Sequence, residues 1–396
     1  MMNWFTQTGA LLAFNLRSLP QRSGSAIASI FGIAGVVAVF VGVLSIGQGF
    51  RHAMTASGSP DTAIVVRSGA DSEMTSILQR EETRIIGEAP GIARNAQGPL
   101  VSPELFVIIN LPKKSTHTDA NVVIRGVEEP VFGVRDQVKI VAGRPFRWGQ
   151  NEVIVGRGAQ FENTGLELGS ELLLGQSRWK VVGMFQANGG LSESEIWADA
   201  AVLAPAYHRG NTYQVVAAKL ASAGNFARFK DALTSDPRLN VKVERETDFY
   251  AQQSQLLYKI ITGLGTLIAG LMAIGAVFSA LNTMYTAVAS RSREIATLKA
   301  LGFGASPVVV SVMIESLILA AIGGGIGALL ARLAFHGYRA ATMNWTSFSQ
   351  VSFAFDVNSK LLIEGITYAL LIGVIGGLLP AIRAARMPVA HALRES

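Results

Sequence analysis

The 396-residue sequence contains no cysteine, which excludes disulfides and thiolate metal sites. Only 16% of its residues are charged while 49% are hydrophobic, a balance unlike that of ordinary soluble domains. No lysine follows a glycine, so these residues hold no Gly-x-x-x-x-Gly-Lys phosphate cradle, and any use of ATP falls to a partner. The five histidines form no His-Glu-x-x-His pair, so no zinc site is expected. Ser177-Arg-Trp-Lys180 has the Ser-x-x-Lys spacing of acyl-serine enzymes, but it leads into the alternating strand pattern Val181-Val-Gly-Met-Phe185 and not into a buried helix. With no acid, base or nucleophile constellation, the chain reads as a non-catalytic subunit without cofactor or metal.

What the sequence has in quantity is long apolar runs. Ser23–Phe50, Ile260–Ser290 and Gly365–Ile382 carry no charge, and Ala300–Ala331 carries only Glu315. About 20 helical residues cross a bilayer core of about 30 Å, so four transmembrane helices are expected, with both termini on one face. The first run is longer than a signal-peptide core and ends in Ser45-Ile-Gly-Gln-Gly-Phe50 without a small-x-small cleavage site, which makes it a retained anchor. The net charge of +6 is not spread evenly. Between Arg51 and Tyr258 there are 22 basic and 23 acidic residues, and the rest of the chain has 12 and 5. The basic residues flank the runs, at Arg17 and Arg22, Arg291 to Lys299, and Arg383, Arg386 and Arg394. That is the positive-inside pattern of cytoplasmic connectors, and it replaces nucleic acid with a lipid bilayer as the reason for the charge.

The fold class that follows is a polytopic α-helical membrane protein with a large α+β extracytoplasmic domain between helices 1 and 2. Residues 1–22 are expected as an N-terminal cytoplasmic interfacial helix, 23–50 as the first span and 51–246 as the exterior domain. Within that domain the pattern predicts strands at Thr62–Arg67, Glu104–Asn110, Asn121–Gly126, Glu152–Val155, Ser170–Leu174, Trp179–Phe185, Glu195–Leu203, Tyr213–Leu220 and Asn240–Glu244. Helices are predicted at Ser72–Gly87 and Asn225–Thr234, and the outer parts read as α/β around a strand-rich insert at about 115–205. Residues 247–289 read as one helix, stalk and second span together, capped by Thr247. A cytoplasmic loop at 290–306, a third span at 307–335, a short extracytoplasmic loop at 336–359, a fourth span at 360–382 and a cytoplasmic tail at 383–396 complete the chain.

The loop between the second and third spans carries the pattern of a handle. In Arg291-Ser-Arg-Glu-Ile-Ala-Thr-Leu-Lys-Ala-Leu-Gly302, a short helix would place Ile295, Leu298 and Leu301 or Gly302 on one face, with Arg291, Arg293, Glu294 and Lys299 over the rest. The plainer alternative is a membrane-surface turn whose charges only set topology. Glu315 is the one acid deep in an apolar run; it is expected to be hydrogen-bonded, or paired with an arginine near the cytoplasmic boundary. Gly323 to Gly327 and Gly373 to Gly377 are small-xxx-small pairs that let helices pack closely.

Ser292-Arg-Glu-Ile-Ala-Thr-Leu-Lys-Ala-Leu-Gly-Phe-Gly304, followed by Glu315 and Gly323-Gly-Gly-Ile-Gly327, resembles the membrane signature of the MacB/FtsX-type ABC permeases. The ending Leu379-Pro-Ala-Ile-Arg-Ala-Ala-Arg-Met-Pro-Val-Ala-His-Ala-Leu-Arg394 is similar to that family's C-terminal tail. Val141-Ala-Gly-Arg-Pro-Phe146, Asn151-Glu-Val-Ile-Val-Gly156 and Trp179-Lys-Val-Val-Gly-Met-Phe185 resemble its periplasmic core domain. The resemblance implies a permease in the bacterial cytoplasmic (inner) membrane, with both termini cytoplasmic and the large domain periplasmic. It also implies an export or efflux role as a homodimer or paired permease, with ATP bound by a separate ABC ATPase subunit. Arg291, Arg293, Glu294, Ile295, Leu298, Lys299, Leu301 and Gly302 would be the ATPase-coupling residues, and a membrane-fusion adaptor with an outer-membrane channel would be further partners. Two other roles known in such permeases are lipoprotein release and regulation of a periplasmic partner such as a cell-wall hydrolase.

Overall fold

The computed structural model describes residues 4, 7–9, 11, 12, 23–56 and 58–388. The residues of the expected interfacial helix that are described, 4, 7–9, 11 and 12, are helical; the others, and most of the C-terminal tail, lie outside the described residues. Two compact units emerge, one of residues 1–47, 260–337 and 356–396, the other of residues 48–259 and 338–355.

In chain order, helix α1 (Ser23–Ala56) precedes β1 (Thr62–Arg67), a 3-10 turn at Glu73–Thr75, β2 (Leu78–Gln79) and α2 (Arg80–Gly87). The hairpin β3 (Arg94–Asn95) and β4 (Gly98–Pro99) leads to β5 (Val101–Pro112), β6 (Asp119–Val127), α3 (Val131–Val134) and β7 (Lys139–Gly143). Next come β8 (Glu152–Gly156), α4 (Arg157–Glu162), β9 (Glu171–Leu174), β10 (Ser177–Gln186), a 3-10 turn at Leu191–Ser194, β11 (Glu195–Asp199) and α5 (Ala200–Ala206). β12 (Thr212–Tyr213), β13 (Val215–Lys219), α6 (Phe226–Thr234) and β14 (Val241–Arg245) end at α7 (Glu246–Ala289). The chain closes with α8 (Ser292–Ala300), α9 (Ala305–Phe335), a hairpin of β15 (Arg339–Asn344) and β16 (Ser349–Ala354), and α10 (Ser359–Arg386).

Among the described residues four helices, α1, α7, α9 and α10, are long and apolar enough to cross a membrane. Glycine sets how closely they pack. A Cβ on Gly327 would lie 2.4 Å from the Ala34 carbonyl oxygen of α1, and one on Gly373 would lie 2.6 Å from the Ala320 methyl of α9. Where the backbones meet so closely, side chains add hydrogen bonds in place of bulk, as Ser316 Oγ does by donating to the Gly373 carbonyl at 2.7 Å.

The other unit is built on one ten-stranded sheet, ordered β14-β1-β13-β5-β6-β11-β8-β10-β7, with β9 on β10. The strand-rich insert expected at 115–205 is therefore no separate sheet. β5 joins the halves by changing partner along its length: Val101 to Glu104 pair with β13, and Leu105 to Pro112 pair with β6. Each half has its own core, one around Val65, Ile86, Val216 and Phe229, the other around Leu105, Ile124, Val155, Trp179 and Ile196. Burying apolar side chains at about 25 cal/mol per Å² of surface is the main force holding each together.

Three local expectations give way to capping and turn chemistry. The helix expected at Ser72–Gly87 starts only at Arg80, because Gln79 and Glu82 form a reciprocal capping box there. The strand expected at Glu195–Leu203 stops at Asp199, whose carboxylate accepts from Ala201 N at 2.8 Å and starts α5. The loop expected at 336–359 contains the β15/β16 hairpin, its turn held by Asn344 Oδ1 accepting from Thr346 N at 3.1 Å.

Candidate functional site: a polar turn and a buried ionic seam

In the turn between α7 and α9, the helix α8 ends in a Schellman motif. Gly302, at φ +93°, donates its N–H to the Lys299 carbonyl at 3.1 Å, and Phe303 N–H reaches the Leu298 carbonyl, also at 3.1 Å. A side chain at the left-handed position would be strained, so Gly302 is placed by backbone geometry, and half-buried Leu298 and Phe303 belong to the apolar cluster that accompanies it. On the inner face, Ile295 is only 8% exposed, among Leu11, Met284, Val288, Val308 and Val312. Arg291 Nη2 meets Glu315 Oε1 at 3.1 Å, with both side chains buried. Lys299 Nζ donates to the carbonyls of Ala385 and Met387 at 2.8 Å each, which places a cation on the orphan carbonyls at the C-terminus of α10.

The eight residues predicted for the turn thus separate by orientation. Arg291, Ile295 and Lys299 face the helices of their own unit, and Leu298 and Gly302 shape the turn. Arg293, Glu294 and Leu301 face outward, Leu301 with 73% of its surface exposed. The expected single face of Ile295, Leu298 and Leu301 is split: Leu301 caps the helix and stands exposed, while Ile295 is packed. The N-terminal segment meets this turn: Trp4 Nε1 donates to Ser306 Oγ at 3.2 Å, and Gln7 Oε1 accepts from Gly304 N at 3.3 Å.

A second constellation, which the sequence reading did not pick out, lies where β5 changes partner. Arg125 of β6 is 1% exposed and holds three carboxylates. Its Nε and Nη2 reach Glu195 at 2.8 and 2.6 Å, Nη1 and Nη2 reach Glu73 at 3.0 and 2.9 Å, and Nη1 reaches Glu104 at 2.7 Å. Arg135 binds Glu104 at 3.1 and 3.0 Å and Glu246, the first residue of α7, at 2.5 Å. Tyr250 Oη donates to Glu73 at 3.2 Å, Trp197 Nε1 donates to Glu195 at 2.8 Å, and Ser59 N–H donates to Glu246 at 3.2 Å. Burial alone would push the Glu104 carboxyl up, but the Arg135 and Arg125 guanidiniums hold it below the usual carboxylate range. Burial would lower both arginines, and their carboxylate partners raise them well above the usual value. So many charges are tolerated in the interior only because each is paired and hydrogen-bonded. What the seam can do is mechanical: it fixes the first turn of α7 to both halves of the sheet. Its charged members come from six separated segments, so no local motif announces it; the one available signal was Arg125, a lone charge in the otherwise apolar strand Val122-Val-Ile-Arg-Gly126.

A family model, MacB-like periplasmic core domain, matches residues 26–236, and a second, FtsX-like permease C-terminal, matches residues 266–389. The fold and these matches define a multi-pass membrane permease. The chain belongs to the MacB/FtsX-type ABC transporter permease family. The macrolide export ATP-binding/permease protein MacB of Escherichia coli is 26% identical over 385 residues, which cover 91% of this chain and 56% of that protein. MacB of Hahella chejuensis is 28% identical over 305 residues, 69% of this chain and 43% of the relative. The chain spans about half the length of these curated relatives. The crystal structure of the periplasmic region of MacB from Actinobacillus actinomycetemcomitans aligns with 50% of this chain and 95% of that one, at 12% identity and a TM-score of 0.37.

Proposed function

We propose that this chain is the permease subunit of a MacB-type ABC export system, coupled through α8 to a separate ATPase subunit on the cytoplasmic side of a bacterial inner membrane. The observation that carries the reading is the construction of the turn: a two-turn helix anchored from within by Ile295, Arg291–Glu315 and Lys299, which leaves Arg293, Glu294 and Leu301 for a partner. A handle must be stiff towards its own bundle and free on its other side, and both conditions are met here. ATP-driven closure of the ATPase would move α8, and α7, about 66 Å long at 1.5 Å per residue, would carry the motion to the periplasmic domain through Glu246 and the seam.

Exposed Ile260, Leu264, Leu267, Leu271, Ile274 and Phe278 recur along α7 at alternating steps of four and three residues, the stripe of a helix that packs against another helix. We therefore place the contact with a second copy on this stripe; disulfide cross-linking of Leu267→Cys between copies supports it, and its absence argues against it. The coupling proposal is tested with the chain and its ATPase co-purified and reconstituted in lipid nanodiscs. Leu301→Asp is expected to weaken permease-dependent ATP hydrolysis by about tenfold, the effect of losing one apolar contact at the centre of an interface, while leaving thermal unfolding unchanged. Wild-type hydrolysis in that variant would remove α8 from the coupling path.

A further inference from the structure

We propose that the β15/β16 hairpin is a releasable latch on the periplasmic domain, closed in this structure and able to open while the domain stays folded. The proposal goes beyond the permease reading, and it holds or fails whatever the partner ATPase is.

The hairpin belongs to the same compact unit as the large sheet, although its strands follow α9 and lead into α10. It packs on β6, on the 3-10 turn at Leu191–Ser194 and on α4. Two side chains supply an apolar grip. Val351 is fully buried, and Phe353 is buried with its ring 5.7 Å from Phe50 in an edge-on contact. The rest of the docking face is polar. Asn121 Nδ2 donates to the Phe348 carbonyl at 2.8 Å, Ser352 N–H donates to Ser194 Oγ at 2.9 Å, and Asn344 Nδ2 donates to Gln253 Oε1 at 3.3 Å. Ser347, Ser349, Gln350 and Ser352 are all buried in it.

One feature sets this contact apart from a permanent core. Gln350 is 8% exposed and lines a small cavity together with Asn163 and Ser194, yet among the described residues neither end of its amide has a hydrogen-bond partner, and neither does Asn163 Oδ1. A polar group closed off in that way loses its bonds to water on docking and regains them on release. Docking therefore carries an opposing term that undocking relieves, whereas the strand pairing between β15 and β16, with the turn whose left-handed residue is Phe348, does not depend on docking and survives release.

The absence of native cysteine makes the test direct. Single variants Ser352→Cys and Ser349→Cys report from the buried docking face, Ser102→Cys from a fully buried position of β5, and Ser222→Cys from the exposed surface. The full chain in lipid nanodiscs is treated with a hydrophilic maleimide, whose rate at a buried thiol follows the population of the open form. The latch predicts that both hairpin thiols react at least about tenfold faster than Ser102→Cys and more slowly than Ser222→Cys. A Cβ at Gly158 would lie 3.2 Å from Ser352 Cβ, close to disulfide spacing, so oxidised Gly158→Cys/Ser352→Cys should lock the hairpin. A Ser349→Cys reporter added to a Gly158→Cys/Ser352→Cys background is then expected to slow to the Ser102→Cys rate on oxidation and to recover on reduction. Hairpin thiols that react no faster than Ser102→Cys, or a reporter indifferent to oxidation of the lock, would overturn the proposal.

Discussion

The seam in the periplasmic domain and the turn at α8 are both built from arginine and glutamate, but they use them differently. At the seam every charge is interior, and two guanidiniums share four carboxylates through nearly every donor they have. At the turn one pair, Arg291 and Glu315, is interior, while Arg293 and Glu294, just past Arg291 in the chain, stand in the open. A buried, multiply bonded charge fixes direction, because moving it strands its partners without compensation. An exposed one leaves the protein able to meet something else. Under the proposed function, the contrast makes the seam the rigid element and the outer face of the turn the part that meets a partner.

The sharpest break of that contrast is Arg125→Met. It leaves Glu73, Glu104 and Glu195 facing one another without their shared cation, and the expected loss is about 3–5 kcal/mol, read from thermal unfolding followed by tryptophan fluorescence. An unchanged melt would show that the seam bears no load. Next in size is the difference between two apolar residues of the turn. Ile295→Ala is expected to destabilise the detergent-solubilised chain by about 2–4 kcal/mol, and Leu301→Ala by no more than about 0.5 kcal/mol, since one is packed and the other is open to its surroundings. Equal effects would erase the division into inner and outer faces.

The smallest expected effect is the response to acid. Hydrogen bonds from Arg144 pull the Glu152 carboxyl from 4.5 down to about 2, and Glu104 is also held low. A carboxyl with a depressed folded-state pKa contributes stability that is complete above its unfolded value and is lost as pH falls through the folded one. Unfolding temperature should therefore fall between about pH 4.5 and pH 2, by an amount that Glu152→Gln reduces. A melt that rises on acidification would contradict the assignment.

Much of this architecture was legible in the residues because it rests on local pattern. Runs with at most one charge make the four long helices, and the largely β-branched run Thr62-Ala-Ile-Val-Val-Arg67 makes a strand with those same bounds. Glu315 was readable as the partner of an arginine because a lone acid in an apolar helix leaves few alternatives. The outward and inward faces of α8 were not legible. They depend on where the helix stops and on what packs against it: Leu301 caps the helix in the open, while Ile295 is packed. The seam was hidden for a different reason: Glu73, Glu104, Arg125, Arg135, Glu195 and Glu246 come together only through sheet order. The hairpin was missed because Gln350-Val-Ser-Phe353 is short and its polar members, which look like loop residues, are buried against the sheet.

Coupling requires that a push received at α8 on one side of the membrane reach the ten-stranded domain on the other. Labelling with a membrane-impermeant maleimide, in right-side-out and inverted vesicles that carry single Leu301→Cys or Ser222→Cys chains, reads those two sides. Leu301→Cys is expected to react only in inverted vesicles and Ser222→Cys only in right-side-out ones; labelling of both from the same face would rule out coupling across the membrane.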